Sequence, residues 1–455
     1  LMFKRINFQD EFYQKLRVLV LPITVQHFML ALVSATDAVM LGAVDQTSLS
    51  AVSLAGQIQF VLNLFISGIA AGSGIMAAQY WGKKDADSIE AVMPIALRAN
   101  LIFSGFFTIA AAFAPKLLML IFTNEAALVE SGAMYLRAVA LSYLLCGISQ
   151  VYLILLKNTG YAAVSSRISS TAVALNVVLN AILIFGLLGF PALGIRGAAY
   201  ATVCARLVEL IWSYLETKRP GHVRVMWGGM LRKVDGILRG DFWRYTMPVL
   251  GAALVWGIAY VLYSVIMGHL GSDAVAANSI TSIAKSLLSC LIRGVSGGAG
   301  VLIGNLLGAG ELAKAKEYGG RLTRMAIAVG IATGGILMLI SPAIVRLAPL
   351  SDTAAHYLQY MLLFCGLNIM AQSVNTTVLD GIFCAGGDSK FDMVGNVGAM
   401  WCFSVPLGFL SAFVFGLPVM AVYCIVNLDE IVKLWAVYVH YKKYIWVRNI
   451  TREME

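Results

Sequence analysis

One carboxylate in this chain sits where a carboxylate is costly. The stretch Ile23 to Gly42, ITVQHFMLALVSATDAVMLG, carries a single full charge, Asp37. At about 1.5 Å per residue, some 20 helical residues cross a bilayer. A carboxylate inside such a segment must be protonated, bound to a cation or ringed by hydrogen-bond donors. Intramembrane acids are functional candidates by default. The bland alternative is an Asp37 close to the helix end and wetted from outside.

Two basic residues pose the same question later in the chain. Lys285 and Arg293 lie in one apolar run, eight positions apart, and so within about 80° of each other around a helix. Asp380, in another apolar run, is a candidate partner. Either the two form a basic wall that faces a substrate, or Lys285 snorkels and Arg293 is neutralised by Asp380 or by backbone carbonyls. Trp256, Tyr260 and Tyr263 fall at i, i+4 and i+7 and make an aromatic stripe on one helix face. Such a stripe serves packing, the commoner use, or cation–π contact with a flat cation. Met29, Met40 and Met76 would add an adaptable lining.

Other chemistries are not supported. The seven cysteines (146, 204, 290, 365, 384, 402, 424) are scattered through apolar runs with no CxxC, and the five histidines form no HExxH or ligand cluster. These residues predict neither a disulfide framework nor a zinc site. The glycine run GGAGVLIGNLLGAG (297–310) lacks GxxxxGK[ST] and lies inside an apolar span. Its glycines at 300, 304 and 308 suit close helix packing in lipid. No nucleophile–base pair stands out in the spans, so an enzyme is not expected. No organic cofactor is expected either, and without an ATP-binding motif the energy would come from an ion gradient, H+ or Na+.

Composition sets the class of element that must position these residues. Of 455 residues, 59% are hydrophobic and 13% charged, with a mean hydropathy of +0.81. A soluble chain carries roughly 25% charged residues, so this one belongs in lipid. The start, LMFKRINFQDEFYQKLR, is polar and basic and is not read as a cleavable signal.

Apolar runs give twelve spans, near 16–41, 50–77, 93–115, 130–154, 167–189, 193–216, 241–268, 273–307, 319–341, 354–380, 390–412 and 416–440. With a cytoplasmic N-terminus, most Lys and Arg fall in the tails and even-numbered loops. The opposite loops hold only Lys116, Arg137, Arg196 and Arg346. This asymmetry places both termini in the cytoplasm and accounts for the net charge of +9 without a nucleic-acid partner.

Shifting the sequence on itself by 226 residues aligns Pro22 with Pro248, Gly42 with Gly268, Gly68 with Gly294, Gly72 with Gly298, Gly82 with Gly308 and Gly160 with Gly386. Matches at glycine and proline carry weight because these residues fix backbone geometry. The chain is therefore read as a duplication: a six-helix lobe at 1–216, a cytoplasmic linker at 217–240 with a short surface helix around Met230 to Leu238, and a second lobe at 241–455. Six spans per copy, an even number, make the copies parallel. A pseudo-two-fold along the membrane normal relates them, with a substrate cleft expected between. The copies differ in chemistry: Asp37 maps onto Tyr263, Gln59 onto Lys285 and Ser67 onto Arg293.

These features resemble a known family. Asp37 followed by "xxxLG", the loops QYWGKKDAD (79–87) and NLLGAGELAKA (305–315), and the turn CAGGDSKF (384–391) are similar to those of multidrug and toxic compound extrusion (MATE) transporters, with Cys384 replacing the usual arginine of the turn. The resemblance covers essentially the whole chain, and the N-terminal half resembles the DinF-like bacterial branch. It implies an all-α integral membrane antiporter that exports organic cations or amphipathic drugs in exchange for H+ or Na+. It also implies a cation-coupling site of Asp37, Asn176, Asn180 and Thr202, at which Na+ is one of the two possible ions. Asn180 stands where that branch often has Asp.

Asn176 and Asn180 share a helix face at i, i+4, and carboxylate, amide and hydroxyl oxygens suit a hard cation or can surround a protonated acid. Pro22 would let the first span bend. The acids that NorM-like members keep on the seventh and tenth spans are absent, with Trp256 and Ser373 near those positions. The expected partners are a small-molecule substrate and membrane lipid, in a bacterial cytoplasmic (inner) membrane. No protein partner is required, and a monomer suffices. The rival reading is a flippase of the same wider superfamily whose Lys285 and Arg293 hold a lipid-linked or other anionic substrate.

Overall fold

Apolar runs in lipid must satisfy their own backbone groups, and a helix does so within one segment. The computed structural model describes residues 10–44, 46–225, 235–348 and 350–452, and the regular elements among them are all helices, with no strand. The elements are α1 (Glu11–Gly42), α2 (Gln46–Gly82), α3 (Ala86–Phe113), α4 (Pro115–Leu120), α5 (Ala126–Asn158), α6 (Ala162–Phe185), α7 (Ile195–Thr217), α8 (Gly236–Gly268), α9 (Ser272–Gly308) and α10 (Leu312–Leu347). They continue with α11 (Asp352–Thr376), α12 (Ser389–Asn396), α13 (Val405–Phe409), α14 (Val419–Val426) and α15 (Asp429–Tyr441).

Ten helical segments of the described chain are long and apolar enough to cross a membrane. Two more complete twelve. α7 carries Arg196, Arg206, Glu209 and Glu216, and the expected span at 416–440 is broken into α14 and α15 at Asn427 and Leu428. Most of the surface helix expected at 230–238 lies outside the described residues. Gly236 to Leu238 form the first turn of α8.

Helix ends follow local chemistry. Asp85 caps α3 by accepting from the Ser88 backbone N–H at 3.0 Å. Ser351 caps α11 in the same way, at 3.2 Å from Ala354 N. Three π-helical turns, Thr377–Phe383, Val397–Ser404 and Leu410–Val414, interrupt the last spans. Such turns widen a helix locally and cluster at functional sites.

The described chain forms two compact units, divided inside α1 after Thr24 and inside α8 after Leu250. The first unit runs from 25 to 250, and α5 is its central helix, packed on α2, α3 and α7. Here the first half of α8 lies along α2. A methyl group at Gly68 would stand 2.8 Å from the Leu250 Cα, and one at Gly72 would overlap Thr246. Small residues let helices approach this closely where lipid gives no hydrophobic drive for association.

The second unit comprises 10–24 and 251–452, with α9, α10 and α11 packed together. In it the first half of α1 lies along α9, so that a methyl at Gly294 would overlap Thr24, and one at Gly298 would stand 2.9 Å from Val20 Cγ2. Each of these residues is 226 positions from its counterpart in the first unit, which is the offset of the sequence repeat.

Both chain ends of the second unit are pinned. Phe12 is fully buried with its ring edge-on to Tyr318 at 4.9 Å, while Asp10 pairs with Arg321 at 2.6 Å and Glu11 with Lys314 at 3.2 Å. Trp446 is fully buried against Gly319 and Gly386. Arg448 donates from Nε to the Gly386 carbonyl at 2.7 Å and from Nη2 to the Gly387 carbonyl. A guanidinium thus reaches the CAGGD turn from the C-terminal tail, while Cys384 itself is buried.

Candidate functional site

Four residues expected to act together meet in the first unit. α6 presents Asn176 and Asn180 on one face, α7 packs against α6 and brings Thr202, and the later part of α1 brings Asp37. Asn180 Nδ2 donates to Asp37 Oδ1 at 2.6 Å and to Asn176 Oδ1 at 3.3 Å. Asn176 Nδ2 lies 3.3 Å from the Thr202 hydroxyl, which itself donates to the Ala198 carbonyl at 3.0 Å. Asn176 and Asn180 are buried and Asp37 is half-buried. Among the described residues Asn180 Oδ1, which is buried, has no hydrogen-bond partner. An unsatisfied buried oxygen beside a carboxylate calls for a proton donor or a cation.

The donor set is all oxygen, which fits a hard ion such as Na+ and equally a proton shared at Asp37. Pro22 lies on α1 without breaking it, since the helix is continuous from Glu11 to Gly42.

The residues singled out in the second half separate. Trp256 and Tyr260 stack with ring centroids 5.6 Å apart and planes 18° from parallel. Trp256 and Tyr263 pack on the apolar cluster of Ala259, Met400 and Val405, whereas Tyr260 is exposed. Lys285 Nζ donates to Asn368 Oδ1 at 3.1 Å, and Asn368 Nδ2 donates to the Asn427 carbonyl at 2.6 Å. That second bond ties α11 to the break between α14 and α15. Arg293 is exposed on α9 and Asp380 is exposed on the π turn after α11. The two act on each other electrostatically, but neither is in an ion pair within 4 Å among the described residues, so the expected neutralisation of Arg293 by direct pairing with Asp380 is not made.

A second polar centre escaped the sequence reading. Lys433 on α15 is buried and donates to Glu430 Oε1 at 3.0 Å and to Asn396 Oδ1 at 3.2 Å, with Asp429 at 3.7 Å. Asn396 Nδ2 donates to Asp392 Oδ1 at 3.1 Å, and Asn375 Nδ2 donates to Glu430 Oε2 at 2.8 Å. The available signal was DEIVK at 429–433, whose acids stand four and three positions before a lysine inside an apolar span.

The first unit has a parallel: Arg206 Nη1 donates to both oxygens of the fully buried Glu209 at 3.0 Å, and Ser149 donates to Glu209 at 2.6 Å. Ser149 and Asn375 are repeat counterparts at the 226-residue offset. Each half therefore fixes its last span to its fourth through an acid, fully buried at Glu209 and largely buried at Glu430.

Comparison with known proteins bears on the whole chain. The MatE family model matches residues 22–182 and again 248–410, two segments that begin 226 residues apart. An uncharacterized transporter, YisQ of Bacillus subtilis, is 22% identical over 431 residues, 94% of each chain. Multidrug resistance protein NorM of Burkholderia vietnamiensis is 27% identical over 417 residues, covering 87% of this chain and 86% of that one. A solved structure described as the outward-facing conformation of a multidrug resistance MATE family transporter of the MOP superfamily superposes with a TM-score of 0.85 at 18% identity, over 95% of both chains. A MOP superfamily transporter from Pyrococcus furiosus, described as having a binding pocket of reversed polarity, gives 0.85 at 19% identity over 95% of both. The repeated match, the twelve membrane segments and the shared fold lead to one conclusion: this chain belongs to the MatE family and is a multi-pass membrane transporter of the MATE type.

Proposed function

We propose that the protein is a secondary antiporter that exports organic cations or amphipathic drugs in exchange for H+ or Na+ taken up at Asp37. The observation that carries this reading is the buried Asn180 Oδ1, which among the described residues stands without a partner beside the carboxylate that Asn180 Nδ2 holds at 2.6 Å. A bound proton or cation would complete that arrangement, and nothing in packing alone rewards an unsatisfied oxygen there. In the proposed cycle the ion enters from outside, Asn176, Asn180 and Thr202 rearrange around Asp37, α1 shifts about Pro22, and substrate leaves outward. The names of YoeA of Bacillus subtilis, a probable multidrug resistance protein 24% identical over 413 residues, and of NorM support the substrate class. The same reading makes the chain a DinF-like member, monomeric in a bacterial cytoplasmic membrane with both termini inside.

The test is efflux of a fluorescent organic cation from proteoliposomes under an imposed proton gradient and, separately, a sodium gradient. Wild type is expected to respond to one gradient, which names the ion. Asp37→Asn is expected to abolish the gradient-driven component while dye still binds. Normal driven efflux by Asp37→Asn would sink the proposal.

A further inference from the structure

Charged side chains at membrane depth are costly unless paired, and the second unit pairs most of its own. Lys433 is consumed by Glu430, Asp429 and Asn396, Asp392 by Asn396, and Lys285 by Asn368. Among the described residues, two opposite charges stand outside these pairs, Arg293 on α9 and Asp380 on the π turn, both exposed and neither in an ion pair. We propose that Arg293 and Asp380 form a recognition site for a zwitterionic amphiphile, with Arg293 binding the substrate's carboxylate and Asp380 its ammonium or iminium group. The inference rests on the exporter reading and narrows its substrate class.

Three observations support it. The two charges are held on backbones in direct contact: Ser296 Oγ donates to the Thr376 carbonyl at 2.9 Å, and a methyl at Gly381 would stand 2.9 Å from the Ser296 carbonyl oxygen. Their spacing is therefore set by a close helix contact and not by flexible loops.

The π turn carries Asp380, whose counterpart at the 226-residue offset is Ile154 within the unbroken helix α5. A widened turn at a charged position is a feature of ligand sites. Finally, the guanidinium and the carboxylate are exposed on spans Ser272–Gly308 and Asp352–Phe383, and charges at such positions in membrane proteins belong to water-filled cavities or ligand paths rather than to lipid. Two opposite charges that stay near each other without closing an ion pair leave both valences to a ligand that carries the complementary pair. Arginine is suited to the carboxylate through its bidentate fork.

The experiment uses two dyes that differ in one group: rhodamine B, with a free carboxylate, and its ethyl ester, which is a cation only. Equilibrium binding to the purified full-length protein is read by fluorescence polarisation. Wild type is expected to bind the acid about tenfold more tightly than the ester or better, as one charge-assisted contact implies. Arg293→Gln should erase that preference while ester affinity stays within about twofold, and Asp380→Asn should weaken both dyes about tenfold. Arg293→Lys should keep part of the preference, and it decides the matter if Arg293→Gln fails to fold.

Equal affinity of wild type for acid and ester, or an Arg293→Gln that weakens both equally, overturns the site. Gradient-driven efflux of the ester with no acid preference overturns this inference and leaves the antiporter reading intact. Driven efflux of neither dye, with binding of neither, overturns both.

Discussion

Asn180 donates to Asp37 across 2.6 Å although the two are 143 residues apart in the chain. Asn180 also donates to Asn176, so one amide group holds the acid and the neighbouring turn together. Asn180→Ala removes both bonds, and gradient-driven efflux in proteoliposomes should fall roughly tenfold or more, the scale of one hydrogen bond to a charged group. Asn180→Asp restores a second acidic oxygen donor and should retain driven transport. Loss of dye binding in Asn180→Ala would point to a folding role instead.

The glycine contacts predict a stability effect that appears twice. Gly72→Ala presses a methyl into Thr246, and Gly294→Ala presses one into Thr24. Overpacking of this kind costs about 1–3 kcal/mol, and each variant should lower the thermal midpoint in detergent. Gly105→Ala, where nothing lies within 4 Å, should leave the midpoint unchanged.

The Lys433 centre is a buried network, and its members are not equivalent to surface pairs. Lys433→Met strands Glu430, Asp429 and Asp392 together without the cation, which costs about 3–5 kcal/mol when one partner of a buried pair is removed. Expression and the thermal midpoint should both drop. Lys15→Met, which removes a cation from an exposed pair with Glu11, should change neither measurably.

Ahead of the first span, the Phe12 backbone N–H and then Arg321 hold the Asp10 carboxyl below its ordinary value near 3.8. A depressed folded value means the contact is fully stabilising above pH ~4 and is lost as pH falls through the lowered value. Hydrogen exchange over residues 11–19, corrected for intrinsic rates, should therefore be flat from about pH 5 to 8 and rise only in stronger acid. Because the pair is partly open to solvent, about 1 M salt should raise exchange at neutral pH.

Much of this architecture is legible in the sequence. Twelve spans follow from composition, because lipid forces apolar runs into helices whatever their neighbours. The spacing of Asn176 and Asn180 puts them on one face, but their meeting with Asp37 came through the family resemblance, since no local rule joins residues 143 apart. The Lys433 centre went unread for the same reason: only Asp429, Glu430 and Lys433 are local, while Asn375, Asp392 and Asn396 arrive from other spans. The break at Asn427 has no proline to announce it. It is stabilised by the Asn368 amide, which satisfies the Asn427 carbonyl, and such a bond exists only after folding. Arg293 and Asp380 looked like natural partners on charge alone, yet an ion pair needs reach as well as sign.

The compact units divide after Thr24 and Leu250, two residues beyond Pro22 and Pro248. Residues on both sides of 226–234 belong to the same unit, so that stretch of sequence is not where the division falls. If the chain is cut there, the N-terminal fragment keeps residues 10–24, which pack in the second unit, and the C-terminal fragment keeps 236–250, which pack in the first. Each piece lacks a half-helix that the other supplies, as in a reciprocal arm exchange. Two co-expressed fragments should therefore purify as a stoichiometric complex through a tag on either one, held by the glycine seams at Gly68 and Gly294 rather than by a peptide bond. A fragment expressed alone should be degraded, because each unit is completed only by a half-helix that the other fragment carries.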